Sequence, residues 1–555
     1  MTPLGGMKVS ATGEQGVPTA KVFERKASGL VRQLSIVDLL LYGILCTGTI
    51  TTVWWFYPFA QYVGGGVNVA LGILVFYPLL FVPIALVYAG LGSAMPRAGG
   101  DFVYVSRILH PLIGFAFVMG WFVIFWIVTL PMGGLALVQM GIQTLLNVIG
   151  FETGNSGLVD AATAAGGQTW MLLTALAIVA VVFVVTVRGM ALFRKIQKYF
   201  VFPAITVSLV TVVVLLLTSS HADVVARINE WGRLTMNDPN LYGHVLKTAY
   251  AHGFNQQGGV NWWQTWVFMT VPMGYMAYIV YGAQGLLGEV KNANNFRMLA
   301  LGILTAGVFV FVVLGLVAAL FQSQFSLEWV NASAYCYNNS LIHFPFVPSV
   351  LYWVSVLSSS PVPAFLIFLG VLASAYVVPQ AAFLNATRVI TGMAMDGVLP
   401  DWFSRVSKKS FAPVNAAIFY FLVAMAFTIP FVYWTSFYYV VVSAASIGYI
   451  GGYVASGAAA VAFPFRRRQL YLSAPVSNFR IGPVPLISVF GALLTAMALA
   501  MATTIFFVPE LGATGRVPRL VVTGTLIGAA VWYLVYGAYR RWTGGMAGFI
   551  DLPPE

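Results

Sequence analysis

Leu41-Tyr42-Gly43-Ile44-Leu45-Cys46-Thr47-Gly48-Thr49-Ile50-Thr51-Thr52, continuing through Trp54 to Phe59, is apolar at both ends and carries a run of hydroxyls around one glycine in its middle. By length and hydropathy it reads as a first membrane-crossing segment. In the hydrocarbon core each backbone N–H or C=O without a partner costs on the order of several kcal/mol, so an interrupted helix persists there only where it lines a protected polar cavity. Interruptions of that kind build the binding sites of secondary transporters. There is a plainer reading: threonines bond back to their own helix, and small residues let a neighbouring helix pack closely. The rest of the chain bears on the choice.

Of the 555 residues, 59% are hydrophobic and 8% are charged, and the mean hydropathy is +0.86. Such a chain is dissolved in lipid rather than water, which points to an all-α, multi-pass membrane protein. Windows of about 20 residues mark apolar spans near 36–60, 67–94, 112–142, 169–187, 199–218, 263–288, 298–322, 362–387, 414–431, 433–463, 482–508 and 518–538. Twelve spans put both termini on one side. Drawn this way, all 28 lysines and arginines except Arg227, Arg233, Lys247, Arg516 and Arg519 fall on that side. The positive-inside rule makes it the cytoplasm. The net charge of +12 is therefore explained by topology, and no nucleic-acid partner is implied. The first thirty or so residues lack the apolar core of a signal peptide and read as a cytoplasmic tail. Two cysteines, Cys46 and Cys336, make no disulfide framework.

The outer side carries two long connections, 221–261 and 322–361, read either as lids or as surface loops with short interfacial helices. Trp262, Trp263 and Trp266 follow as headgroup-level anchors. Asn331-Ala332-Ser333 and Asn338-Asn339-Ser340 have the form of glycosylation acceptors, a weak signal. The five histidines lie scattered in loops, and no nucleophile has an evident base, so no enzyme, metal centre or cofactor is implied. None of the twelve spans has an ionisable residue near its middle; Asp38, Asp101, Glu289, Arg388 and Asp396 fall at or near cytoplasmic ends. A transporter built this way holds a charged solute with backbone groups, helix ends and hydroxyls rather than with buried ions.

Three segments on the cytoplasmic side carry a resemblance. Gly92-Ser93-Ala94-Met95-Pro96-Arg97-Ala98-Gly99-Gly100-Asp101 through Arg107, continuing from Gly114 to Trp121, resembles the stretch after the second span in permeases of the amino acid-polyamine-organocation (APC) superfamily. Glu289-Val290-Lys291-Asn292 is similar to the close of their sixth span. Ala386-Thr387-Arg388-Val389, Met393 to Pro400 and Pro413-Val414-Asn415 resemble their passage from the eighth span to the ninth. Leu34-Ser35, Asp38 and Arg188-Gly189 add to the likeness.

The resemblance implies twelve transmembrane helices with a five-plus-five inverted repeat, discontinuous spans 1 and 6 and two extra C-terminal spans. The implied division is a tail over 1–33, spans 1–5 over 34–218, an outer loop over 219–262, spans 6–10 over 263–465, an inner loop over 466–481, spans 11 and 12 over 482–539 and a tail over 540–555. It also implies a permease of the cell membrane that moves an amino acid or related small amine by alternating access, its substrate held where spans 1 and 6 unwind. A transporter of another small organic solute, or a sensor or assembly subunit that keeps the fold without transporting, stands as the alternative. The coupling ion, proton or sodium, is left open.

The departures from the family pattern concern the site. Its Gly-x-Gly in span 1 aligns with Thr49-Ile50-Thr51, and its Phe-x-Gly-Phe-Glu in span 6 falls on Ala277-Tyr278-Ile279-Val280-Tyr281, or, with an indel, towards Pro272-Met273-Gly274-Tyr275. The eighth span offers Ser374 but no clear Ser/Thr pair for sodium. The substrate-binding candidates are accordingly Thr47, Gly48, Thr49 and Thr51 in span 1, facing Gly274, Tyr278 and Tyr281 in span 6.

Overall fold

The computed structural model describes residues 32–543 apart from 53, 55, 56, 63, 64, 257, 258 and 281–284. The expected tails therefore lie largely outside the described residues, as does Tyr281. The chain is mostly helical. Its main helices are α1 (Ile36–Cys46), α2 (Val69–Ala94), α3 (Asp101–Ile108), α4 (Pro111–Thr153), α5 (Gln168–Arg188) and α6 (Met190–Thr218). They continue with α7 (Trp262–Met276), α8 (Phe296–Phe325), α9 (Leu327–Asn338), α10 (Pro361–Met395), α11 (Val414–Tyr433), α12 (Thr435–Arg466), α13 (Leu486–Phe507) and α14 (Arg516–Trp542). Among the described residues, ten helices are long and apolar enough to cross a membrane: α2, α4, α5, α6, α8 and α10 to α14. The other two apolar stretches of the sequence, 36–60 and 263–288, are not continuous helices.

Local chemistry accounts for where α1 starts and stops. Ser35 Oγ accepts from the Asp38 N–H at 3.1 Å, and the Asp38 carboxylate accepts from the Ser35 N–H at 2.8 Å, a reciprocal cap of the first turn. The helix ends at Cys46, and Gly48 takes φ +58°, a left-handed conformation that glycine adopts at little cost. In the second interrupted stretch α7 runs to Met276 and tightens into a 3₁₀ turn over Ala277–Val280.

Some boundaries differ from the sequence reading. Helix α4 runs to Thr153 rather than 142, and polar residues that end the apolar window find partners inside the protein: Gln143 Nε2 donates to the Ala162 carbonyl at 3.0 Å, and Asn147 Oδ1 accepts from Trp231 Nε1 at 3.1 Å. Helix α10 likewise continues to Met395. The loop after α12 holds a small hairpin, Arg480–Ile481 with Val484–Pro485, the one departure from an all-helical chain beyond an isolated bridge between Leu34 and Val290 among the described residues. Before Asp101 the chain turns with Gly99 at φ +110° and Gly100 at φ +45°.

The two long connections form helices, not open loops. Helix α9 packs on Tyr57–Tyr62, where Asn338 Nδ2 donates to the Pro58 carbonyl at 2.7 Å. Asn331 is buried and donates to Gln256 Oε1 at 3.1 Å, so its acceptor-like triplet is not presented to solvent. Trp262 and Trp263 are exposed, whereas Trp266 turns inward and donates to Thr504 Oγ1 at 2.9 Å. At the centre, α10 packs against α1, α4, α5, α6 and α11.

Candidate functional site

The interruption after α1 lies against the 3₁₀ turn after α7: Cys46 Sγ donates to the Tyr278 carbonyl at 3.1 Å. Within it, Thr47 Oγ1 bonds back to the Ile44 carbonyl at 2.7 Å, and Thr52 Oγ1 to the Thr47 carbonyl at 2.5 Å. The Thr51 and Thr52 N–H groups both donate to the Gly48 carbonyl at 2.8 Å. The N–H groups of Thr49 and Ile50 have no backbone acceptor among the described residues. Thr49 is fully buried and its hydroxyl has no hydrogen-bond partner. An unpartnered buried donor costs about 1–3 kcal/mol. Two amides and a hydroxyl without partners thus lie on adjacent buried residues, and groups of this kind suit an acceptor.

Beside this break is a cavity of about 50 Å³, walled by Thr51 and Thr52, by Thr129, Met132 and Gly133 of α4, by Tyr275 of α7 and by Ser374 of α10, among others. Thr51 Oγ1 lies 3.0 Å from Ser374 Oγ, which ties the break to α10. Of the sequence-predicted residues, then, Thr51 reaches the cavity wall; Thr47 is bonded within its own helix end; Gly48 supplies the left-handed turn; Thr49 is buried with open polar groups. Gly274 is buried inside α7, and Tyr278 is buried in the 3₁₀ turn with its ring 5.2 Å from that of Tyr275. Sequence reasoning missed Thr52, Thr129 and Tyr275 as wall residues. Thr129 had a signal, a hydroxyl just before Leu130-Pro131-Met132-Gly133-Gly134 in an otherwise apolar span; Tyr275 had one in the shifted alignment of the span-6 motif to Pro272-Met273-Gly274-Tyr275.

Polar contacts tie the segments on either side of this region together. At the α1 end, the Gln33 and Leu34 N–H groups donate to the Glu289 carbonyl at 2.9 Å, and the Lys291 N–H donates to the Leu34 carbonyl at 2.8 Å. The Glu289 carboxylate accepts from Arg388 Nε at 2.9 Å, with both side chains buried. Arg107 Nη2 donates to both carboxylate oxygens of Asp396, at 3.1 and 2.9 Å. Burial raises the Asp396 pKa above the usual carboxylate range, although the Arg107 guanidinium works against it. Asp101, also buried, accepts hydrogen bonds from Tyr88 Oη at 2.5 Å and from Ser456 Oγ. Its carboxyl is pushed up to about 6 by desolvation, which outweighs these two bonds. At the opposite end, α9 covers Tyr57–Tyr62.

No curated protein matches the chain. The family model for amino acid permeases matches residues 40–530, most of its length. Ten helices among the described residues that are long and apolar enough to cross a membrane, with two interrupted apolar stretches meeting near a small cavity, are the form in which this membrane protein belongs to the amino acid permeases of the APC superfamily.

Proposed function

We propose that the protein is a secondary transporter that carries an amino acid or related small amine across the cell membrane by alternating access, with both termini in the cytoplasm. The observation that carries this reading is the open polar set at Thr49 and Ile50, buried beside the meeting point of the two interrupted stretches. Those N–H groups and the Thr49 hydroxyl receive the substrate carboxylate. Thr51 and Tyr275 border the neighbouring cavity, and Tyr275 and Tyr278 cover the apolar side chain or the ammonium group, a cation–π contact worth roughly 0.5–2 kcal/mol. A cavity of about 50 Å³ holds a few waters and no amino acid, so the described form is closed and widens as one end opens.

Stretches 36–60 and 263–288 count as spans 1 and 6 of twelve. In each, a regular helix precedes the break, 11 residues in α1 and 15 in α7. Two such units entering the membrane from opposite faces fit a five-plus-five inverted repeat over 34–218 and 263–465. A second reading, another small organic solute, is favoured by Thr49-Ile50-Thr51 standing where the family has glycines. Uptake of radiolabelled amino acids, amines and nucleobases into proteoliposomes, with sodium and proton gradients imposed separately, tests both. Accumulation of no amino acid or amine would discard the first.

A further inference from the structure

Between α1 and the first turns of α6 lies a second cavity, of about 500 Å³, away from the interruption. Its wall brings Asp38 of α1 together with Arg194, Lys195 and Lys198 of α6 around Gln197. Gln197 is 7% exposed, and neither its amide nitrogen nor its oxygen has a hydrogen-bond partner. A buried primary amide with an open donor and an open acceptor is costly unless an occupant supplies both roles, and a hydroxyl does. The charge is unbalanced as well. Arg194 sits 3.3 Å from Asp38, and Lys195 and Lys198 remain exposed at the rim, so the wall carries an excess of cations. Phosphate is a fitting counter-charge.

The cavity also has a position relative to lipid. Tyr199, at its edge, is 71% exposed, and Phe200 and Phe202 beside it are exposed too, the placement of an aromatic belt at headgroup level. Leu39, Leu41 and Phe193 line it with apolar surface. We propose that this cavity binds the headgroup of an anionic phospholipid, its phosphate held by Arg194, Lys195 and Lys198 and a headgroup hydroxyl bonded to the Gln197 amide. Because α1 forms one wall and α6 the other, the bound lipid bridges the helix that leads into the interruption to its neighbour.

The test uses the full chain, purified in detergent, with lipid binding read by native mass spectrometry. Phosphatidylglycerol is expected to bind at least about tenfold tighter than phosphatidylcholine of the same chains. Lys195→Ala/Lys198→Ala should weaken phosphatidylglycerol binding about tenfold, and Lys195→Arg/Lys198→Arg should keep it. Gln197→Leu should weaken phosphatidylglycerol more than phosphatidic acid, which lacks the hydroxyls. Equal binding of phosphatidylglycerol and phosphatidylcholine with the same chains, or unchanged binding in both the double alanine and the Gln197 variants, overturns the proposal. Glycerol 3-phosphate competing at the same concentrations as the lipid overturns the lipid assignment and makes the occupant a soluble phosphate ester.

Discussion

The two interrupted stretches are built differently. The first breaks at a left-handed glycine among hydroxyls and leaves two amides and the Thr49 hydroxyl open in the interior. The second tightens from α7 into a 3₁₀ turn, where Tyr278 offers its carbonyl to Cys46 and its ring to Tyr275. One break supplies donors and the other supplies aromatic surface. Breaking a helix does not by itself make a polar site; it does so where side chains and carbonyls leave amides uncovered.

That contrast is sharpest at Gly48. A Cβ there meets Val378 Cγ2 at 2.7 Å and the Thr52 and Thr51 hydroxyls at 2.9 and 3.0 Å, on a backbone that β-branched residues avoid. Gly48→Val is expected to abolish substrate binding while the protein still inserts, measured as uptake against surface-labelled protein. Normal uptake would remove the first break from the site.

Next in size is the buried ion pair that ties the end of the second stretch to α10. Arg388→Met leaves Glu289 buried without its partner, and a loss of about 3–5 kcal/mol is expected. Adding Glu289→Gln should recover part of it in thermal unfolding. If the single variant is as stable as the parent, that pair does not hold the end of the second stretch to α10.

Smaller effects separate donors from aromatics. Thr49→Ala and Tyr278→Ala should each weaken substrate affinity about tenfold, the size of one hydrogen bond or one stacking contact. Thr49→Ser and Tyr278→Phe should stay near the parent in binding titrations. Loss in Tyr278→Phe equal to that in Tyr278→Ala would show that the second break contributes a polar group, and the contrast would fail.

The least effect on transport is expected at Asp101, which belongs to α3 and lies outside both interrupted stretches. Its carboxyl titrates near 6 when folded against 3.8 as a free side chain, so the folded state holds its proton more tightly. Stability from this group is fully present below about pH 4 and is lost as pH rises through about 6. Asp101→Asn should flatten that slope in melting temperature between pH 4 and 7 and leave substrate affinity unchanged. A steeper slope, or uncoupled proton flux, would make Asp101 part of the transport path.

Class and family were legible in the sequence because hydropathy, charge placement and motif order are local or additive properties. Ten of the twelve apolar windows correspond to continuous crossing helices, and the two that do not are those that the motif alignment marks as interrupted. The hydroxyls around Gly48 announced the first break, since a residue that tolerates φ +58° among helix-capping side chains is visible one residue at a time. Tertiary structure alone decided the rest. Nothing in the order of residues says that Arg388 would bury against Glu289, that Arg107 would meet Asp396, or that Tyr275 would border the small cavity beside Ser374. Those contacts join segments separated by tens to hundreds of residues, and their partners are selected by how twelve apolar surfaces pack in three dimensions, where shape and buried polarity count and sequence distance does not.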